Sequence, residues 1–170
     1  NLSYQFADAK TPVLKDVSFK IESGSKICLS GFSGSGKTTL IQILTGLLQN
    51  FSGSLSIDGI PIGNYQLRCL RSNMGESVSQ QSIFYGTLEE NITIGRENIS
   101  FEDVKWAVEK VNLTEFVESL EMGYATLISP EGRKLPKSIV KKIVLARAIA
   151  SKPKLLVLEE SLSNFEKEDV

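Results

Sequence analysis

Apolar and polar positions alternate with changing period along the 170 residues, and the changes mark out a series of elements. Asn1 to Phe6 reads as the start of a strand, followed by a turn at Ala7–Lys10. Val17, Phe19 and Ile21 then recur at every second position, which predicts a half-buried strand within Val13–Ile21. Glu22-Ser23-Gly24 turns the chain into Lys26-Ile27-Cys28-Leu29-Ser30, a short apolar run expected to be a buried strand. After it, Leu40, Ile41, Ile43, Leu44, Leu47 and Leu48 follow helical spacing. Ser52-Gly53 leads to Leu55-Ser56-Ile57, and Asp58-Gly59 is a hairpin signal, so an antiparallel β portion is expected here.

From about Gln66 to Gly123 the texture is helical. Ser100 with Asp103 fits a capping box, and Val104, Ala107, Val108 and Val111 form one apolar stripe with Trp106 packing beside it. Asn112 with Glu115 predicts the cap of a second short helix carrying Phe116, Val117 and Leu120, ended by Gly123. A third helix is expected from near Ser138 to Ala150, with Ile139, Ile143, Val144 and Ala148 or Leu145 facing inward. Leu155 to Leu158 are apolar and Glu159-Glu160 follow, which predicts a fully buried parallel strand delivering carboxylates at its C-terminal end. Open α/β sheets bind their ligands at such ends.

The candidate chemistry stands between the apolar run and the first helix, at Gly31-Phe32-Ser33-Gly34-Ser35-Gly36-Lys37-Thr38-Thr39. It matches G-x-x-x-x-G-K-[ST] through Gly31, Gly36, Lys37 and Thr38, in the strand–loop–helix context that gives the motif its meaning. Glycines let the backbone turn tightly and aim successive N–H groups inward, and the helix adds the positive end of its dipole. Gly31, Ser33, Gly34, Ser35, Gly36, Lys37, Thr38 and Thr39 are therefore the expected nucleotide-phosphate cradle. Lys37 is expected to reach the terminal phosphates and the Thr38 hydroxyl to ligate magnesium. Glu159 and Glu160 complement the loop, one carboxylate orienting the magnesium shell and the other polarising water for in-line attack. Alone, the pair also reads as a solvated strand end.

Composition narrows the class. With 41% hydrophobic residues the chain can bury one sizeable core, most plainly as a single domain. A net charge of −1 gives no global field toward nucleic acid, and none is expected as a partner. Two cysteines, Cys28 and Cys69, are too few for a disulfide framework and read as reduced core thiols of a cytosolic protein. There is no membrane-span-length apolar run and no signal peptide, and the abrupt start and charged end read as those of a fragment.

Together these pieces resemble the nucleotide-binding domain of an ATP-binding cassette (ABC) transporter of the exporter type, in order over nearly the whole chain. Leu2-Ser3-Tyr4 looks like the aromatic A-loop, implying that Tyr4 stacks on adenine. Pro12 to Phe19 resembles the strand that follows in exporters, and Gly31 to Thr39 the Walker A loop. Val78-Ser79-Gln80 looks like the Q-loop, which makes Gln80 the sensor of magnesium and the γ-phosphate. Ile83 to Ile92 resembles the stretch that receives the coupling helix of the membrane domain, and Lys142 to Ala148 the helix after the signature motif. Leu155 to Glu160 stands at Walker B, with Glu159 as metal ligand and Glu160 as the catalytic glutamate beside Lys37 and Gln80. The resemblance implies an α/β fold: a P-loop NTPase core with a mixed sheet, a flanking antiparallel β portion and a helical subdomain. One ATP-binding domain then covers 1–170, with the core at about 1–65 and 140–170 and the helical subdomain at about 66–139. It further implies ATP and Mg2+ as cofactors, a transporter's transmembrane domain and a second nucleotide-binding domain as partners, and a place on the cytoplasmic side of the cell membrane.

Departures from the family pattern carry information of their own. Its LSGGQ signature, which contacts the γ-phosphate held by the partner domain, falls on Leu135-Pro136-Lys137-Ser138-Ile139, and only Leu135 survives. A hydrogen bond to a charged group contributes about 1.5–3 kcal/mol, so losing the signature hydroxyl matters. Ser129-Pro130-Glu131-Gly132 lacks the usual glycine-glutamate pair, Glu159 replaces an aspartate, and Ser163-Asn164-Phe165-Glu166 alters the D-loop. Glu76 and Ser77 stand where apolar residues are expected, leaving that strand's register open. The chain has no histidine, hence no H-loop histidine. Two functions compete: a transport-energising ATPase half that supplies a degenerate signature to an asymmetric pair, and an ATP-binding regulatory domain that no longer hydrolyses. On either reading the isolated chain is expected to turn over little. An unrelated phosphate-loop kinase or GTPase is disfavoured because no guanine-reading N-K-x-D is present and the Tyr4 and Gln80 matches would be unexplained.

Overall fold

The computed structural model describes residues 1–77, 83–132 and 135–158. It divides into two compact units, Asn1–Arg71 and Ser72–Val170. In the first, β1 (Leu2–Tyr4), β2 (Leu14–Val17) and, after helix α1 (Lys37–Leu44), β3 (Ser52–Gly53) form one antiparallel sheet in the order β2-β1-β3. Leu2, Tyr4 and Leu14 from the sheet pack with Leu40 and Ile43 of α1 in a small core. The helix ends in a Schellman turn at Gly46, whose N–H donates to the Ile43 carbonyl at 3.0 Å while that of Leu47 donates to Gln42 at 2.8 Å. β4 (Ser56–Ile57) and β5 (Ile60–Pro61) are the expected hairpin: Asp58 (φ 50°) and Gly59 (φ 77°) both adopt the left-handed backbone that a two-residue type I′ turn requires. Helix α2 (Leu67–Ser72) closes the unit, with the Arg71 guanidinium donating to the Gly46 carbonyl at 2.9 Å.

Three expectations fail in this unit. The alternation over Val13–Ile21 yields a strand only at Leu14–Val17, leaving Phe19 and Ile21 exposed. Its partner β1 has only three residues, and the register shifts where Asp16 takes φ 48°. Lys26–Ser30 is irregular and exposed rather than a buried strand. A strand buried on both faces needs paired neighbours, and among the described residues no ladder includes this run. Cys28 and Cys69 are consequently exposed thiols, not core ones: Cys28 lies in that irregular run and Cys69 on α2, whose buried residue is Leu70.

The second unit runs β6 (Met74–Ser77), β7 (Gly86–Thr87), α3 (Leu88–Thr93), α4 (Phe101–Lys110), α5 (Thr114–Glu118), β8 (Leu127–Ile128), α6 (Lys137–Ile149) and β9 (Leu155–Leu158). Its core joins Leu88 and Ile92 of α3, the α4 stripe Val104, Ala107 and Val108, and Ile143 and Ala146 of α6. β6 pairs with β9 in parallel, Met74 opposite Leu155 through Ser77 opposite Leu158, which fixes the register that Glu76 and Ser77 left open. Gly75 is required there, because a Cβ would stand 2.2 Å from the Ala148 carbonyl oxygen at the end of α6. β9 is the expected parallel strand but only partly buried, Leu156 being exposed, since β6 is its one partner among the described residues. β7 and β8 pair antiparallel, so parallel and antiparallel pairs occur in separate small sheets.

The capping box at α4 is complete: Ser100 Oγ accepts from the Asp103 N–H, and the Asp103 carboxylate accepts from the Ser100 N–H. Lys152 pairs with Asp103 and stands 5.4 Å above the Trp106 ring, so Trp106 packs as expected. Asn112 does not cap the next helix. It takes φ 54° as the left-handed residue after α4, with its N–H bonded to Glu109 and that of Leu113 to Val108, and the N-cap of α5 is Leu113. Among the described residues no helix is long and apolar enough to cross a membrane.

Candidate functional site

Gly31 to Thr39 joins the irregular run to the start of α1. Phe32 to Ser35 is a tight turn in which Ser35 N–H donates to the Phe32 carbonyl at 3.2 Å and Gly34, at φ 80°, holds the position that a type II turn reserves for glycine. Gly36 is the N-cap of α1 at φ 88°, and a Cβ on it would lie 2.8 Å from Leu14 Cδ2 and 3.1 Å from the Val13 carbonyl oxygen. The loop's last glycine is thus fixed both by backbone conformation and by the β2 end pressed against it.

Helix α1 has no side-chain cap and no acidic residue in its first turn. A helix start aims its leading N–H groups and the positive end of its dipole outward, which makes this turn suited to an anion. The Lys37 ammonium folds back over the loop, donating to the carbonyls of Gly31 at 2.8 Å and Phe32 at 3.0 Å, with Ser35 Oγ at 3.5 Å. An ammonium carries three donors, so two hold the lysine over the loop and the third, long contact is exchangeable for a phosphate oxygen. Ser33, Gly34, Ser35 and Thr38 are exposed, and Thr39 is buried beneath the turn.

Magnesium retains several waters and takes few protein oxygens beside those of phosphate. The Thr38 hydroxyl, on the second residue of α1, suits such a shell, and among the described residues no group of three or more His, Cys, Asp or Glu forms a preformed metal site. Gln80, Glu159 and Glu160, and the D-loop positions 163–166, lie outside the described residues.

Tyr4 is only 9% exposed, its ring in the core of the first unit and edge-on to Phe6 at 5.0 Å, whereas Phe6 is 42% exposed. Sequence reading overlooked Phe6, although its place just beyond a short strand was a usable signal. At the degenerate signature, Leu135 is half-buried against the second unit's core, Pro136 is the N-cap of α6, and Lys137 and Ser138 are exposed on its first turn without a side-chain cap. A recess of about 220 Å³ in the second unit, lined by Met74, Glu76, Ile94, Arg96, Arg147 and Ala148, includes no residue of the loop.

Comparison with known proteins places these features in a family. The ABC transporter family model matches residues 14–163. Heavy metal tolerance factor 1 of Caenorhabditis elegans is 36% identical over 163 residues, covering 96% of this chain and 20% of that protein. ABC transporter B family member 22 of Arabidopsis thaliana is 35% identical over 159 residues, covering 94% of this chain and 13% of its own. A bacterial Atm1-family ABC exporter solved with ATP bound matches at a TM-score of 0.91 and 26% identity, over 99% of this chain and 29% of that one. The chain therefore spans a minor part of each relative. The family model carries ATP binding with it, and domains of this kind are generally ATPases. The chain belongs to the ABC transporter family, as an ATP-binding domain of the exporter type.

Proposed function

We propose that this domain binds Mg-ATP at Gly31–Thr39 and, within its full-length protein, energises an exporter by ATP binding and hydrolysis at an interface with a second nucleotide-binding domain. The observation that carries the reading is the Lys37 ammonium held over the Gly31 and Phe32 carbonyls at the start of an uncapped helix. Lys37 neutralises the terminal phosphates, Thr38 and Glu159 with Gln80 complete the magnesium shell, and Glu160 aligns the attacking water. The base is met by the aromatic pair at the end of β1: Tyr4 is the packed partner and Phe6 offers the more open ring. All 170 residues act as one domain, the core portions carrying nucleotide and residues about 66–139 facing partners. Ile83 to Ile92 meets the transmembrane domain, on the cytoplasmic side of the cell membrane.

In this reading the domain is the degenerate-signature half of an asymmetric pair. Pro136 as N-cap and Lys137 at the first position of α6 stand where the signature has a serine and a glycine. Self-pairing therefore brings two defective signatures together. The isolated chain binds Mg-ATP and hydrolyses it slowly, and a partner with an intact signature restores turnover at the site built on this chain's Lys37. The competing reading, ATP binding without hydrolysis, draws on the same α6 start and on Glu159. An ATPase assay of the chain with and without such a partner separates them: partner-dependent, Lys37-dependent hydrolysis supports the first, and binding without hydrolysis in the complex supports the second. Rapid hydrolysis by the chain alone contradicts the asymmetric pair.

A further inference from the structure

Asn91 lies on α3, wholly buried, on the same helical stripe as Leu88 and Ile92. A buried amide is costly unless its donors and acceptor are used. Here they are: Nδ2 donates to the carbonyls of Phe84 and Thr87, each at 3.0 Å, and Oδ1 accepts from the Phe84 N–H at 3.1 Å. Arg147 of α6, also buried, donates from Nε to the Asn91 backbone carbonyl at 2.7 Å, and Arg96 donates to the Arg147 carbonyl at 2.7 Å. Burial holds both guanidinium groups below the usual arginine range, Arg147 further so because of the Arg96 charge, and both stay protonated. The segment this network grips is itself open: Phe84 is 40% and Tyr85 67% exposed, and the Phe84 ring centre lies 6.0 Å from the Arg147 guanidinium. Aromatic side chains on a pre-set backbone are the usual anchors of an interface, because little freedom remains to be lost on docking.

We propose that Asn91 is a positioning residue: by gripping both backbone polar groups of Phe84 it presents Phe84–Tyr85 as a pre-formed anchor for an apolar membrane-domain segment, and Arg147 ties that anchor to α6. The inference rests on the reading that Ile83 to Ile92 faces a membrane domain. In the full-length protein in membranes, p-benzoylphenylalanine placed at Tyr85 is photo-activated, and its cross-link is mapped by mass spectrometry in the wild-type and Asn91→Leu backgrounds. The expected result is a cross-link to the membrane domain whose yield falls about fivefold or more with Asn91→Leu, the loss of one or more net hydrogen bonds. Asn91→Asp, of the same shape but without the two donors, falls between. Hydrogen exchange at the Phe84 amide speeds up in Asn91→Leu, which lacks its acceptor, more than in Asn91→Asp, which keeps it, while the α4 amides keep their protection. A mapped cross-link with unchanged yield in a folded Asn91→Leu protein overturns the inference alone. A wild-type cross-link that misses the membrane domain overturns the docking reading and the inference together. If Asn91→Leu does not fold, Asn91→Asp decides, and unchanged yield there is again contradictory.

Discussion

Helix α4 begins with Ser100 and Asp103 each satisfying the other's backbone N–H, and α3 begins the same way with Thr87 and Glu90, whereas α1 begins on a glycine with no side-chain cap. All three starts face the same physical problem, a first turn whose N–H groups lack intrahelical partners. At α3 and α4 the chain solves it internally and gains stability. At α1 no side chain caps the turn, which suits the proposed phosphate ligand, and Lys37 is stationed over the loop rather than used as part of a cap. A glycine-led helix start, which forgoes only about a few tenths of a kcal/mol of capping, is evidence of a binding role only with a glycine loop and a lysine around it. The start of α6 is uncapped too, but there Pro136 and Lys137 replace the small residues, so the same vacancy of side-chain caps has a different chemistry.

The sharpest way to break the contrast is Gly36→Ala. With φ 88° and a Cβ position 2.8 Å from Leu14, the added methyl meets left-handed strain and a packed neighbour, together about 2–4 kcal/mol of destabilisation by urea titration. ATP binding is lost with it. Ser100→Ala removes the corresponding cap at α4 and costs about 1 kcal/mol of stability while leaving ATP affinity unchanged. A fall in affinity as large as the Gly36 effect would erase the distinction between the two helix starts.

The α4 cap also has a pH signature. Lys152 first, then Ser100, hold the Asp103 carboxyl down at about 2. A depressed carboxyl pKa contributes stability above its unfolded value of about 3.9, lost as pH falls through the folded value. Acid titration should therefore weaken the α4 start between about pH 4 and pH 2, and Lys152→Met should narrow that window from below. The smallest effect concerns helix ends: α1 closes on Gly46 at φ 71°, but α3 closes on Ile94 at φ 50°, a conformation β-branched residues disfavour. Ile94→Gly should stabilise the domain by about 0.5–1 kcal/mol in thermal melts, strain relief less the entropy of glycine.

What was legible in the sequence was local. The glycine loop, the Ser100–Asp103 box, the Asp58-Gly59 hairpin and the apolar stripes of α4 and α6 are written in short-range spacing, and the structure has them where they were read. What was not legible depends on distant neighbours. Lys26–Ser30 has the composition of a buried strand, yet composition does not provide a ladder partner, and Ile27 and Leu29 are exposed. Asn112 matched a capping pattern because the same residue type serves helix ends as C′ and helix starts as N-cap. The Asn91–Arg147 network joins α3 to α6, elements far apart in the chain. A signal was present, since Asn91 follows Leu88 by three and Arg147 follows Ile143 by four, each on a stripe that faces the core. At the candidate site, the turns of Gly31–Thr39 are local and follow from its glycines, while the openness of Phe6 over Tyr4 depends on how β1 packs on α1.

The central claim is that the uncapped, glycine-led start of α1 is a nucleotide-phosphate site in which Lys37 supplies the charge. Isothermal titration of Mg-ATP into the wild-type chain and Lys37→Ala tests it most directly, with Ser100→Ala as the control that alters a helix start away from the loop. Removing one hydrogen-bonded charge should weaken binding by about 1.5–3 kcal/mol, roughly 10- to 150-fold in Kd, with the control binding as wild type. Equal affinity of wild type and Lys37→Ala, both folded, would contradict the account.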